Sequence, residues 1–215
     1  MGERAAVDRV DEPVTRPTLV EDLRALGLSA GETVLVHSSL SALGWVAGGA
    51  QTVVDALRTV LTDEGTLVMP THTPQYTHSG EWSNPPVPAA WVDTIRDSMP
   101  AFRPAITPTR GMGAVPECFR NYPDVVRSAH PVVSFAAWGA DAESVVGDHA
   151  LDCGLGESSP LAELYRRGGS VLLLGVGHEV NTSLHLAEYR ADLSVPTVTN
   201  RVPVRREGER VRVSI

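Results

Sequence analysis

The chain has 215 residues, 42% of them hydrophobic, and a formal net charge of −8. That length supports one α/β domain with a sizeable core, and no apolar window is long enough to span a membrane. All eighteen basic residues are arginine, which excludes lysine-dependent chemistry and a Walker loop; an acidic balance without a basic cluster argues against nucleic acid. Residues 1–17 are polar, contain two prolines and lack a signal-peptide core, so a loose arm and a cytoplasmic protein are expected. Thr18 followed by Glu21 reads as a capping box for a short amphipathic helix through Leu19, Leu23 and Leu26, ended by Gly27. Residues 33–37 (TVLVH) read as a buried strand that opens into a glycine-bearing loop. A helix over 50–61 follows, with Val53, Val54, Leu57, Val60 and Leu61 on its apolar face, then a strand over 65–70 (GTLVMP). Strand, loop, helix and strand in that order predict a sheet with parallel neighbours.

Residues 71–90 have no periodicity and hold several prolines with His72, Tyr76, His78 and Trp82. A loop this long is often a lid or a binding wall. A helix near 91–98, a helical turn within 117–122, an apolar strand over 132–139 and a helix over 140–146 are expected next. A polar loop over 147–159 leads to a helix over 160–167 that Ser158 or Ser159 caps. Residues 197–204 and 210–215 alternate around Glu207-Gly208-Glu209 as a hairpin. One domain spanning 1–215 is expected, with no internal repeat.

The rest is organised around 170–188, SVLLLGVGHEVNTSLHLAE. The apolar run over 170–176 reads as a buried central strand, stopped by Gly175 and Gly177. Asn181 and Thr182 are helix caps, so His185 falls in the first turn of a helix and Glu188 lies three residues on, on the same face. A base and a carboxylate at the carboxyl end of a strand suit proton transfer. At the other strand end, His37, Ser38 and Ser39 open a loop whose hydroxyls and N–H groups suit phosphates or amides. An ordinary ST-turn loop is the plainer reading there. Arg127, Ser128 and His130 form a polar cluster before a buried strand. Arg110-Gly111-Met112-Gly113-Ala114 approaches a pyrophosphate loop, but Val115 stands sixth and no matching strand precedes it, so the match reads as accidental.

Five segments occur in order: VHSSLSALGWVAGG, GTLVMPTHT, RSAHPVVSF, SSPL and LLLGVGHEVNTSLHLAE. Together they resemble the aminoglycoside 3-N-acetyltransferase family over about residues 18–206. The resemblance implies a three-layer α/β/α fold with a mixed sheet. It implies acetyl transfer from acetyl-CoA, as cosubstrate, to the 3-amino group of 2-deoxystreptamine antibiotics, and thus a part in antibiotic resistance. In TSLHLAE it makes His185 the catalytic base and Glu188 its partner. It assigns His37, Ser38, Ser39, Leu40, Gly44, Met112 and Ser128 to acetyl-CoA. An ammonium-rich substrate calls for an acidic wall, for which Asp152 and Glu157 are candidates, with His72 and His130 beside them. Family members continue past a hairpin like the one ending at Ile215, so a C-terminal segment is expected to be absent here. No metal site, nucleic-acid surface or membrane contact is expected, and a homodimer is left open.

Two other classes compete. His72, His78, His178 and His185 would serve a metal-dependent hydrolase, although no HExxH pattern is present. A relative that binds CoA without turnover is the other.

Overall fold

Val34, Leu35 and Val36 are fully buried in β1 (Thr33–Ser38), which requires cover on both faces of its sheet. The computed structural model, which describes residues 3–191 and 198–215, supplies that cover as a three-layer α/β/α arrangement. Among the described residues, β1 pairs in parallel with β2 (Thr66–Pro70) on one side and β5 (Ser170–Leu174) on the other. β3 (Val126–Arg127) and β4 (Phe135–Gly139) complete a mixed sheet in the order β3-β4-β2-β1-β5, with β4 antiparallel to β2.

Strand alternation decides which residues meet which helices. Val34, Val36, Leu67 and Met69 face α2 (Arg16–Ala25), α3 (Gly49–Leu61) and α5 (Ala114–Phe119). Leu35, Val68, Phe135 and Ala137 face α6 (Ala142–Val146) and α7 (Pro160–Arg166), and Leu186 of α8 (Leu184–Arg190) joins that side. A smaller cluster holds β6 (Arg201–Arg206) and β7 (Glu209–Ser214) against Tyr76, Phe102 and Met99, the last just past α4 (Val92–Ser98). There Phe102 N donates to Pro203 O at 2.9 Å.

Three expectations change. β5 is not a central strand: among the described residues it borders only β1, and Val171 is 39% exposed. An apolar run reports burial appetite, not the number of neighbours, and the central place belongs to β1. The first helix of the core starts at Arg16, not Thr18. Thr15 is its cap, accepting from Thr18 N, and Pro17 takes an early position where no N–H is needed. The arm is not loose. Residues Glu3–Val7 form α1, Val10 packs where a side chain on Gly44 would be, and Val14 N donates to Trp45 O at 2.9 Å. In the hairpin, Glu207 and Gly208 alone make the turn, both at positive φ, as a two-residue turn demands. Thr197, the expected start of that hairpin, lies outside the described residues.

Arg127 is structural. Its Nε donates to Thr71 Oγ1 and Ser134 Oγ at 3.1 Å each. Nη1 donates to Pro104 O and Thr107 O, and Nη2 to Thr71 O at 2.6 Å. The guanidinium also lies over the Phe102 ring. It ties the ends of β2 and β4 to the 102–107 segment, and burial holds its pKa down to about 10. Lysine keeps the charge but lacks the planar fork. Arg127→Lys should therefore cost on the order of 2–4 kcal/mol in urea unfolding, because several buried acceptors lose their donor. A loss under about 1 kcal/mol would remove the clasp from this account.

Candidate active site

The turn after β5 is built from small residues because it passes close to the β1 loop. A Cβ on Gly175, at φ +70°, would lie 2.9 Å from Ala42 Cβ. Asn181 Oδ1 then accepts from Ser183 N at 3.1 Å and from Ser183 Oγ at 2.6 Å, which braces the turn ahead of α8; the N-cap position is Ser183, not Asn181 or Thr182 as expected. Leu186 points into the core, so His185 and Glu188 are left on the open face. Their side chains are 51% and 58% exposed, and His185 Nδ1 lies 2.6 Å from Glu188 Oε2. A carboxylate only accepts, so Nδ1 is the donor in this contact and Nε2 is the ring nitrogen left for another partner.

Beneath this pair, at the carboxyl ends of parallel β1 and β2, four histidines gather. His37, His130, His149 and His185 all act on the charge of His72. Burial holds His37, His130 and His149 down to about 4, and His72, which also feels its imidazole neighbours, to about 3. All four are neutral at pH 7, and they divide into two kinds. His130 Nδ1 accepts from Val132 N and Val133 N, and its Nε2–H donates to Leu151 O. His149 Nε2–H donates to Gly154 O at 2.6 Å, while Ser128 Oγ donates to its Nδ1 and accepts from Phe135 N. Those two rings are fully engaged and hold the 147–159 loop to the strands. His37 Nε2 and His72 Nε2 are buried with no hydrogen-bond partner. Buried polar atoms normally find one, so these two stand apart from structural histidines.

On the other side of the strand ends lies a cleft of about 540 Å³. Ser38, Ser39, Leu40, Ser41, Gly44 and Trp45 form one wall, and Gly111, Met112, Gly113 and Ala114 face them. Gly49 of α3 closes one end, and Glu3 and Ala6 of α1 another. The structure thus brings together Ser38, Ser39, Leu40, Gly44 and Met112 of the expected acetyl-CoA residues. His37 points to the opposite face with Leu35, and Ser128 is buried in the His149 network, so neither lines the cleft. His130 has no ring atom left for a ligand. Asp152 is exposed on the 147–159 loop. Glu157 is already engaged: Arg190 donates to both its oxygens, at 2.5 and 3.1 Å, and that hydrogen-bonded guanidinium lowers its pKa. It anchors α8 rather than offering a free carboxylate.

Trp45, Gly49 and, apart from Met112, the Gly111–Ala114 wall were not assigned by sequence reasoning. The signal for the last was present. Gly111 and Gly113 both have positive φ and sit just ahead of α5, and the Gly113 Cβ position lies 3.8 Å from Ser38 O. The two glycines let that loop pass close to β1. Among the described residues no group of three or more His, Cys, Asp or Glu side chains is arranged to hold a metal. No helix there is long and apolar enough to cross a membrane.

Residues 35–215 match the family model described as aminoglycoside 3-N-acetyltransferase. The chain is 51% identical over 207 residues to the SPbeta prophage-derived aminoglycoside N(3')-acetyltransferase-like protein YokD of Bacillus subtilis, covering 95% of this chain and 75% of that one. The crystal structure of YokD superposes with a TM-score of 0.92 at 48% identity, covering 98% of this chain and 78% of that one. Aminoglycoside N(3)-acetyltransferase VIII of Streptomyces fradiae is 44% identical over 89% of this chain and 66% of its own length. A structure described as AAC-IIIb binary with CoASH superposes with a TM-score of 0.83 at 34% identity, over 94% of this chain and 75% of that one.

Proposed function

This chain belongs to the aminoglycoside 3-N-acetyltransferase family, and on that premise we propose that it moves an acetyl group from acetyl-CoA to the 3-amino group of a 2-deoxystreptamine aminoglycoside. The observation that carries the reading is the His185–Glu188 contact of 2.6 Å on an open helix face at the carboxyl end of the sheet. An amine attacks a thioester only when neutral, and it must lose a proton as the C–N bond forms. His185 Nε2 takes that proton. Glu188, on Nδ1, holds the ring in the right tautomer and balances the imidazolium. The proton then goes to the sulfur as the C–S bond breaks, releasing CoA thiol. The acetyl donor lies in the cleft against Ser38, Ser39, Leu40, Gly44 and Met112. The residues fit it, since hydroxyls, glycine backbones and apolar side chains surround a space of about 540 Å³. His37 and His72, whose buried Nε2 atoms have no partner, lie below His185 on the acceptor side, and the exposed Asp152 of the 147–159 loop is the acidic residue assigned to the substrate. Acetyl-CoA is an intracellular cosubstrate, which puts the reaction in the cytoplasm.

The test is thiol release from acetyl-CoA by the purified protein over a panel of aminoglycosides. Turnover with 3-amino compounds, and none with analogues lacking that amine, is the expected result. CoA binding without turnover would favour the non-catalytic alternative.

A further inference from the structure

Taking the cleft as the acetyl-donor site, the side chains that line it describe which part of the donor they recognise. Among the described residues its lining carries one charged side chain, Glu3, and that charge is negative. Among the described residues no arginine lines it, and the chain has no lysine. Arg110 adjoins Gly111, but its guanidinium lies 5.4 Å from the Trp82 ring centroid and donates to Asn84 O at 3.4 Å. Arg4, beside Glu3, pairs with Asp8 at 3.2 Å. Phosphate recognition ordinarily uses such cations. The feature of opposite sign is the start of α3, where Gly49 N–H is already taken by Val46 O at 2.9 Å.

What the lining does offer suits a neutral, amide-bearing chain. Ser38 Oγ is buried without a partner, and Ser39 and Ser41 add two hydroxyls. Leu40, Val46 and Met112 are apolar. Glu3 Oε1 accepts from Trp45 Nε1 at 3.3 Å across one end, so an acceptor and an aromatic edge meet there.

We infer that the cleft recognises the pantetheine arm of the donor and leaves the nucleotide to solvent, so that nucleotide-free pantetheine thioesters are acetyl donors. The chemistry is unchanged. The amine nitrogen bonds to the acetyl carbon, the C–S bond breaks, and the amine proton ends on the pantetheine sulfur.

Calorimetry compares CoA with pantetheine, and the thiol-release assay compares acetyl-CoA with S-acetylpantetheine. Pantetheine should bind within about tenfold of CoA, which is about 1.4 kcal/mol. S-Acetylpantetheine should reach a similar kcat, and the acetyl-CoA KM should hardly change between low and high salt, since no cation–phosphate contact is there to be screened. Trp45→Ala should weaken CoA and pantetheine by the same factor. A gap larger than tenfold, or an acetyl-CoA KM that climbs steeply with salt, overturns the inference and shows the nucleotide to be held, with the start of α3 as its site. A wild-type protein that binds neither CoA nor pantetheine instead overturns the placement of the donor in this cleft.

Discussion

His185→Ala should lower kcat by a factor of about 10²–10⁴, the usual effect of removing a general base. CoA affinity should stay unchanged, because His185 is not among the described residues that line the donor cleft. The loss belongs to chemistry and not to folding. His185 is half exposed on α8, and it is Leu186 on the opposite face that packs into the core. Exposure also gives a second readout. Free imidazole can reach the vacated space, so added imidazole should restore part of the rate, which it would not do for a misfolded protein. Glu188→Gln should lose less. Glutamine keeps the shape and can still accept from Nδ1–H, but it no longer balances the imidazolium. A folded His185→Ala protein with near-normal kcat would remove α8 from the reaction.

The stretch around His185 was legible in the sequence because its signals are local. Gly175 and Gly177 end a strand, Asn181 holds the Ser183 turn from which a helix starts, and three residues of spacing put Glu188 on the face of His185. The cap at Thr15 was also local, but Thr18 and Glu21 imitate a box one turn later, and Pro17 alone points to the earlier start. What failed was non-local. VLLL in β5 reads the same whether a strand has one neighbour or two. Residues 1–17 show no periodicity, since Val10 and Val14 are held by Gly44 and Val46, more than thirty residues away in sequence, and not by an amphipathic face of their own. Strand parity would have turned His37 away from Ser38. Only the folded loop 147–159 reveals that His130 and Ser128 meet His149. The Gly111–Gly113 pair was compared with a phosphate motif and set aside, although positive-φ glycines ahead of a helix describe a close approach of backbone in any fold.

The buried histidines predict how the protein yields to acid. His37, His72, His130 and His149 have folded pKa values pressed from 6.5 to about 3–4, chiefly by burial. In the unfolded chain each takes a proton near 6.5. Below that pH the unfolded state binds more protons, so stability is complete above about 6.5 and falls as pH drops toward 4. For His37 and His130, which are 5% and 3% exposed, the shift corresponds to roughly 3 kcal/mol each once pH is below the folded value. The four are not additive. His130 and His149 lie 4.7 Å apart, so one charged ring makes the next still harder to charge. Even so, the sum is comparable with the 5–15 kcal/mol or so that a domain typically has. Carboxylates contribute only later. Burial pushes Glu117 upward, but hydrogen bonds from Arg120 and Thr109 bring it down to about 2, so its share is present above about 4.5 and is lost as pH falls toward 2. Urea midpoints measured from pH 7.5 downward should therefore begin to fall near pH 6.5 and drop steeply before the carboxylate range is reached. A midpoint that holds level from pH 7 to pH 5 would mean that the rings accept protons in the folded protein at little cost, and that the neutral cluster beneath His185 has been wrongly drawn.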